Sequence, residues 1–396
     1  MGNDLLSRCR DVLIRADCPT VAKLLPLENA YLQHHELGFV IANVELKSDK
    51  SCPHGIFEIS TAIDISEEKA LVRAVFESVE RYCLGSIGRH DHRIQETNLD
   101  DPNLIVFRKG VSAGFTYAER VRVVNTDKGL MAAIGDVFAP YPHRDGNIGA
   151  PSTTNGCSCH TTEWDAKLGA ALELFERHCI MNFWFYERTS ARPFPMRIAD
   201  TGTRQIIGIL AELGYQVYVF EVSTRIDVSV ALGFAIHKEQ IYPYCICSAS
   251  AKLAQTEALS GCLYEMLQTL VALSFSEIQA KEWLSSGAKL TRLHHNMFYY
   301  AFPELGSFIH QALDCIPPVV TDTTHIASDG VSFLNSLFGD GTSGDLISLT
   351  PPEFSEEVFA FRAISDELLK LVVGDHFGES RLLTSNSRLQ APHPFP

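Results

Sequence analysis

A chain of 396 residues with 46% hydrophobic and 20% charged side chains can build a large core, and it has no long low-complexity run, which excludes disorder over most of its length. Its formal net charge of −15 argues against non-specific nucleic-acid binding, which needs Lys and Arg to neutralise phosphates. No run of about 18 apolar residues occurs, so no membrane span is expected, and the charged N-terminal stretch does not read as a secretory signal.

Taken in chain order, β-rich runs alternate with long helical ones. Strands are expected at Gly38–Glu45, Gln216–Glu221, Val228–Ile236 and Ile241–Ser248. Helices are expected at Glu67–Cys83, Glu163–Phe185, Thr203–Leu213, Gln255–Leu273 and Asp366–Val373. The stretch Gly339–Gly344 reads as a loop. This pattern predicts an α/β (α+β) fold with mixed sheets and long helices. No linker stands out, so residues 1–396 read as a single domain. Eleven cysteines suit free thiols in a cytoplasmic protein. Cys157/Cys159 and Cys245/Cys247 are one residue apart, whereas zinc sites favour two to four, so buried thiols on strands are the favoured reading.

Two of the expected helices repeat each other. EEKALVRAVFESVERYC from Glu67 and EWDAKLGAALELFERHC from Glu163 superpose without a gap at an offset of 96. The matches include Ala70/Ala166, Ala74/Ala170, Glu77/Glu173, Glu80/Glu176, Arg81/Arg177 and Cys83/Cys179. A third stretch, TEALSGCLYEMLQ, keeps Ala258 seven residues before Glu265 and has Gln268 in place of the second glutamate. Ser66 and Thr162 are positioned as N-caps, and Asp165 follows Thr162 in a capping-box arrangement.

Glutamates at i and i+3 share a helix face and repel each other. Metal, the adjacent arginines or solvent can offset that repulsion. Val75, Phe76, Val79, Leu172, Leu174 and Phe175 crowd these glutamates, which disfavours a fully solvated face. Mg²⁺ takes hard oxygen ligands and keeps phosphate and water in its shell, so the acids suit Mg²⁺ ions on a nucleotide. Arg81 or Arg177 is then placed to meet phosphate oxygens.

These residues resemble the YcaO superfamily. The central motif is Ser158-Cys159-His160-Thr161-Thr162-Glu163-Trp164-Asp165-Ala166, followed by Glu173, Glu176 and Arg177. The upstream element runs from Thr61–Ser66 to Glu77, Glu80 and Arg81, and the downstream helix from Ala258 to Glu265. The resemblance implies that Glu77, Glu80, Glu173, Glu176 and Glu265 gather Mg²⁺, that Ser158, Asp165 and Arg177 hold ATP, and that residues 60–270 form the ATP/Mg²⁺ core. Thr161 stands beside the nucleotide where many members have Asn. Gly261 stands where several have Arg, a charge left to Arg81, Lys252 or a partner subunit.

The sequence ends in Pro392-His393-Pro394-Phe395-Pro396, similar to the PxPxP tail of azoline-forming members. Alternating prolines favour an extended segment of about 15 Å with little entropy left to lose. Residues 386–396 are thus expected to enter the active site. The carboxylate of Pro396, with an ordinary pKa of about 3.5, would be the general base. His143, His160, His178 and His393 favour packing or surface roles.

Within the superfamily the chain resembles the stand-alone YcaO subunits of thiazole/oxazole-modified microcin synthetases. That implies a ribosomal precursor peptide as substrate, an E1-like leader-binding partner and an FMN-dependent azoline dehydrogenase, in a hetero-oligomeric cytoplasmic complex. Thioamide or amidine formation and a non-catalytic peptide-binding scaffold are the alternatives.

Overall fold

A computed structural model of the chain describes residues 21–26, 40–45, 50–53, 55–56, 59–64, 66–98, 101, 103–105, 120–126, 128–141, 153–185, 191–225, 227–290, 292, 294–314, 316, 329–354, 357–369, 371 and 392–395. Two compact units divide the chain. The first comprises Met1–Leu174 and Leu334–Leu368, the second Phe175–Phe333 and Leu369–Pro396.

The first unit opens with β1 (Val21–Pro26), β2 (Val40–Glu45) and β3 (Ile59–Asp64), paired in that order as an antiparallel sheet. Helix α1 (Glu67–Gly85) follows. Ser66 caps it as expected, its hydroxyl accepting from the Lys69 N–H. Ala70, Ala74, Val75, Val79, Tyr82 and Cys83 form its buried stripe, at the spacing an amphipathic helix needs. Strands β4 (Ile94–Asn98), β5 (Leu104–Ile105), β6 (Arg120–Asn125) and β7 (Met131–Ala133) make a second sheet in the order β4-β6-β7-β5, with β5 and β7 parallel. The short helix α2 (Ile134–Val137) leads away from it.

Next come β8 (Cys157–His160) and helix α3 (Glu163–Phe185), the latter with the expected bounds. The residues of α3 up to Leu174 belong to the first unit and those from Phe175 to the second.

The second unit continues with β9 (Arg192–Pro193), α4 (Thr201–Glu212), β10 (Tyr215–Glu221), β11 (Ser229–His237) and β12 (Cys245–Lys252). Helices α5 (Gln255–Phe275), α6 (Glu277–Ser285), α7 (His294–Ala301), α8 (Pro303–Gly306) and α9 (Phe308–Asp314) follow, and then α10 (Gly330–Phe338), whose residues up to Phe333 belong to the second unit and those from Leu334 to the first. Its sheet is antiparallel in the order β12-β11-β10-β9. Every residue of β11 is buried, so both faces of this strand are covered. Helix α5 is long and apolar enough to cross a membrane by length and composition alone, but it packs on β11 and β12 and buries Ala258, Leu259, Cys262, Leu263, Met266 and Leu267.

Strands β13 (Gly344–Ser348) and β14 (Phe359–Ser365) return to the first unit and build an antiparallel sheet with β8, in the order β13-β14-β8. Helices with mainly antiparallel sheets place the fold on the α+β side of the expectation. One expected element is corrected. The helix at Asp366–Val373 does not form in its described part, where Asp366, Glu367 and Leu368 make a bend. The Leu369 N–H goes instead to His178 Nδ1, at 3.0 Å, so the backbone donor a first helical turn would use is taken by a side chain.

His90 is a buried marker of the first unit. Its Nε2 lies 3.1 Å from the Leu349 carbonyl oxygen and its ring packs on Phe138. Burial lowers its pKa to about 4. A depressed histidine pKa gives stability that is complete above the unfolded value of about 6.5 and is lost as pH falls toward the folded one. Wild type should therefore lose up to about 3 kcal/mol between these limits. The His90→Gln variant should lack that component, and urea unfolding at pH 7 and pH 4.5 measures it.

Candidate active site

In the first unit, α1 presents Glu77, Glu80 and Arg81, and α3 presents Glu173. The carboxylate of Glu77 is held on both sides. Its Oε2 accepts from the Thr61 N–H of β3 at 3.1 Å, and its Oε1 pairs with the Arg81 guanidinium. Burial nevertheless raises the Glu77 pKa, with Arg81 pulling the other way. Glu80 is pushed well above the ordinary range, first by burial and then by the negative charges of Glu173 and Glu77. The opposing charges are Arg81 and Arg362. The expected crowding by hydrophobes holds: Val75, Val79, Leu172, Leu174 and Phe175 are buried, and Phe76 is half-buried.

Arg362 was not signalled by the sequence. It lies on β14, in register with Cys157 of β8, and is 4% exposed. Its Nη1 donates to the Thr153 carbonyl at 2.8 Å and to Cys157 Sγ at 3.3 Å. Some 200 residues separate it from the motif, and only strand pairing brings it there.

Ser158 also sits on β8. A Cβ at Gly169 of α3 would lie 2.3 Å from Ser158 Oγ, so this glycine is what lets the helix approach the serine. At the start of α3 the expected capping arrangement is present. Thr162 Oγ1 accepts from the Asp165 N–H at 3.1 Å and donates to Asp165 Oδ2 at 2.6 Å. His160 Nδ1 lies 3.4 Å from both Asp165 Oδ2 and Thr161 Oγ1.

In the second unit, α3 presents Glu176 and Arg177 and α5 presents Glu265. Glu176 Oε2 accepts from the Ala251 N–H of β12 at 2.9 Å, and Oε1 lies 3.7 Å from Arg177 Nη1. Cys262 senses both acids: burial raises its thiol pKa, and the charges of Glu265 and Glu176 raise it further. Gly261 faces β12. A Cβ there would lie 2.4 Å from Ser250 Oγ and 3.0 Å from Ser250 Cβ, so any side chain at this position requires Ser250 to shift. Lys252 Cε is 4.0 Å from the same point, which makes this lysine the cation beside the gap.

The described cysteines are buried free thiols, as expected. Cys245 Sγ and Cys247 Sγ are 3.7 Å apart, and burial pushes the Cys157 and Cys179 thiols up to about 12.

The described part of the tail is packed into the second unit. Pro392, His393, Pro394 and Phe395 are buried. Tyr300 donates to the Pro392 carbonyl at 2.6 Å. Pro396 lies outside the described residues.

A family model for YcaO cyclodehydratases, described as ATP- and Mg²⁺-binding, matches residues 133–337. The chain belongs to the YcaO family. ATP and Mg²⁺ are accordingly its cofactors. Solved structures repeat the fold at low identity. YcaO from Methanopyrus kandleri, bound with AMPPCP and Mg²⁺, has a TM-score of 0.62 at 14% identity, over 92% of this chain and 90% of that one. A chain of the E. coli microcin synthetase McbBCD complex with pro-MccB17 bound has a TM-score of 0.65 at 12% identity, over 95% and 96%. A heterocyclase in complex with substrate and cofactor has a TM-score of 0.68 at 13% identity, over 100% of this chain and 57% of that one. No curated protein matches in sequence.

The acids of this YcaO chain fit Mg²⁺ by chemistry. They are hard oxygen donors, and the mutual charge that raises the Glu80 pKa is the charge a cation would relieve. Among the described residues, no group of three or more His, Cys, Asp or Glu side chains forms a ready metal cage. Mg²⁺ does not need one, because it usually takes one or two carboxylates and fills its shell with water and substrate phosphates.

A carboxyl with a raised folded-state pKa stabilises the fold below its unfolded value, and that stability is lost as pH rises through the folded value. At pH 8 without metal, Glu80→Gln should therefore melt higher than wild type. It should also gain less from added Mg²⁺-ATP, and thermal melting with EDTA or with Mg²⁺-ATP reads both effects.

Proposed function

We propose that this chain is an ATP-dependent cyclodehydratase. It would convert Cys, Ser or Thr residues of a ribosomal precursor peptide to thiazolines or oxazolines, as one subunit of a thiazole/oxazole-modified, microcin-like peptide synthetase. The observation that carries the choice of ring formation is the buried seat of residues 392–395, since a frayed tail could take no part in chemistry.

In this reading ATP supplies the phosphoryl group that turns the amide oxygen into a leaving group, and Mg²⁺ offsets the charge on the phosphates. Glu77, Glu80 and Glu173 in the first unit, and Glu176 and Glu265 in the second, hold Mg²⁺. Ser158, Thr161, Asp165, Arg177 and Arg81 hold the nucleotide. Lys252 provides the charge that Gly261 lacks. Arg81 is paired with Glu77 and can pass from that carboxylate to a phosphate oxygen. The Pro396 carboxylate accepts the proton from the attacking thiol or hydroxyl, or from the closing ring. These side chains orient the reactants.

Likeness to a chain of a synthetase complex with pro-MccB17 bound, and to a heterocyclase with substrate, supports a peptide substrate and partner proteins. The partners proposed are an E1-like leader-binding protein and an FMN-dependent azoline dehydrogenase, in the cytoplasm.

Mass spectrometry of the precursor tests the chemistry. Each ring should remove one water, and an exchange of oxygen for sulfur would replace this reading by thioamidation. Deleting residues 392–396 should lower ring formation by about 100-fold or more while the protein stays folded. The Lys252→Ala variant should raise the KM for ATP by roughly tenfold, the loss of about one charge-assisted contact, with kcat changed less.

A further inference from the structure

The segment that ends the chain is poor in backbone donors. Pro392 and Pro394 have no N–H, so one edge of the segment has no backbone donors. Two side chains of α7 hold it instead. Asn296 and Tyr300 are four residues apart and share a helix face. Tyr300 is 1% exposed, and its hydroxyl reaches the Pro392 carbonyl. Its ring stands edge-on to Trp184 of α3, with centroids 5.9 Å apart and planes at 90°, which fixes the direction of the hydroxyl. Asn296 is fully buried beside His393, itself fully buried. The Asn296 amide nitrogen is 3.2 Å from His393 Nε2 and 3.3 Å from Nδ1. Asn296 Oδ1 is buried with no hydrogen-bond partner.

A buried amide with one end unsatisfied is unfavourable by about 1–3 kcal/mol, and an apolar residue of similar size would avoid it. Turning the amide over exchanges the two ends and leaves the same shortage. The stability of α7 does not explain an asparagine here, whereas recognition of a tail imidazole does. We propose that Asn296 and Tyr300 are a two-point clamp on residues 392 and 393 that sets the register of the tail. They are positioning residues for ring formation, and this role rests on the reading that the tail takes part in cyclisation. Pro396 is three residues beyond His393, within about 11 Å of chain, and the intervening proline leaves little freedom. A tail held at Pro392 and His393 thus confines the reacting end, while a released one does not.

The test uses the full-length protein with 4-fluorophenylalanine at position 395, a site that is 1% exposed. Fluorine NMR should show one buried resonance in wild type. Tyr300→Phe removes only a hydroxyl and keeps the ring on Trp184, and Asn296→Leu keeps the heavy-atom branching while removing both polar ends. Each should add a sharp resonance that a soluble paramagnetic agent broadens. In the assembled synthetase, kcat for ring formation should fall roughly tenfold or more, with the KM for ATP changed less than about twofold, because only placement is lost. A buried, unchanged fluorine signal in both variants overturns the clamp, as does a released tail with unchanged kcat. Full ring formation after deletion of residues 392–396 overturns the underlying reading of the tail instead, whatever the fluorine signal reports.

Discussion

Glu80 is a carboxylate in apolar surroundings with two others, Glu173 and Glu77, in its field. Burying like charges together is unfavourable unless a counter-charge accompanies them. Much of the first unit serves that constraint. β3 gives a backbone N–H to Glu77, Arg81 pairs with the same carboxylate, and β14 brings Arg362 beneath β8. These contacts soften the repulsion without removing it, since burial and the charges of Glu173 and Glu77 keep the Glu80 pKa raised. A Mg²⁺ ion with nucleotide phosphate would supply such a counter-charge.

The second unit solves a related problem with backbone and small residues. Glu176 is oriented by the Ala251 N–H of β12. Helix α5 lies close on that strand because Gly261 leaves room for Ser250. The same closeness means that a side chain at position 261 would have to move Ser250, and it brings the stem of Lys252 beside the glycine. Tight helix-on-strand packing and the placing of a cation are thus one structural choice, because close-packed interiors leave no slack for a longer side chain.

The tail depends on the second unit in a different way. A proline-rich segment has little backbone with which to bind, so it is held through one carbonyl and two buried side chains, His393 and Phe395. The aromatic ring of Tyr300 ties this seat to Trp184, on the same helix that carries Glu176.

The sequence by itself determined the local and periodic features. The offset of 96 placed α1 and α3, the caps at Ser66 and Thr162 are where their residue types demanded, and the buried stripes follow the helical period. The spacing of the paired glutamates on each helix was legible because a helix fixes the spacing of its own side chains. Tertiary structure alone decided what came from afar. Arg362 reaches the acids through strand pairing, Lys252 stands beside Gly261 through helix-on-strand packing, and Asn296 meets His393 across 97 residues of chain. The short helices α6 to α10 were missed because at most nine residues give too few turns for a period to show. The expected helix after Ser365 failed for the converse reason: its residues carry a helical pattern, but His178 captures the Leu369 N–H. Periodicity encodes contacts within an element, and contacts between elements exist only once the chain has folded.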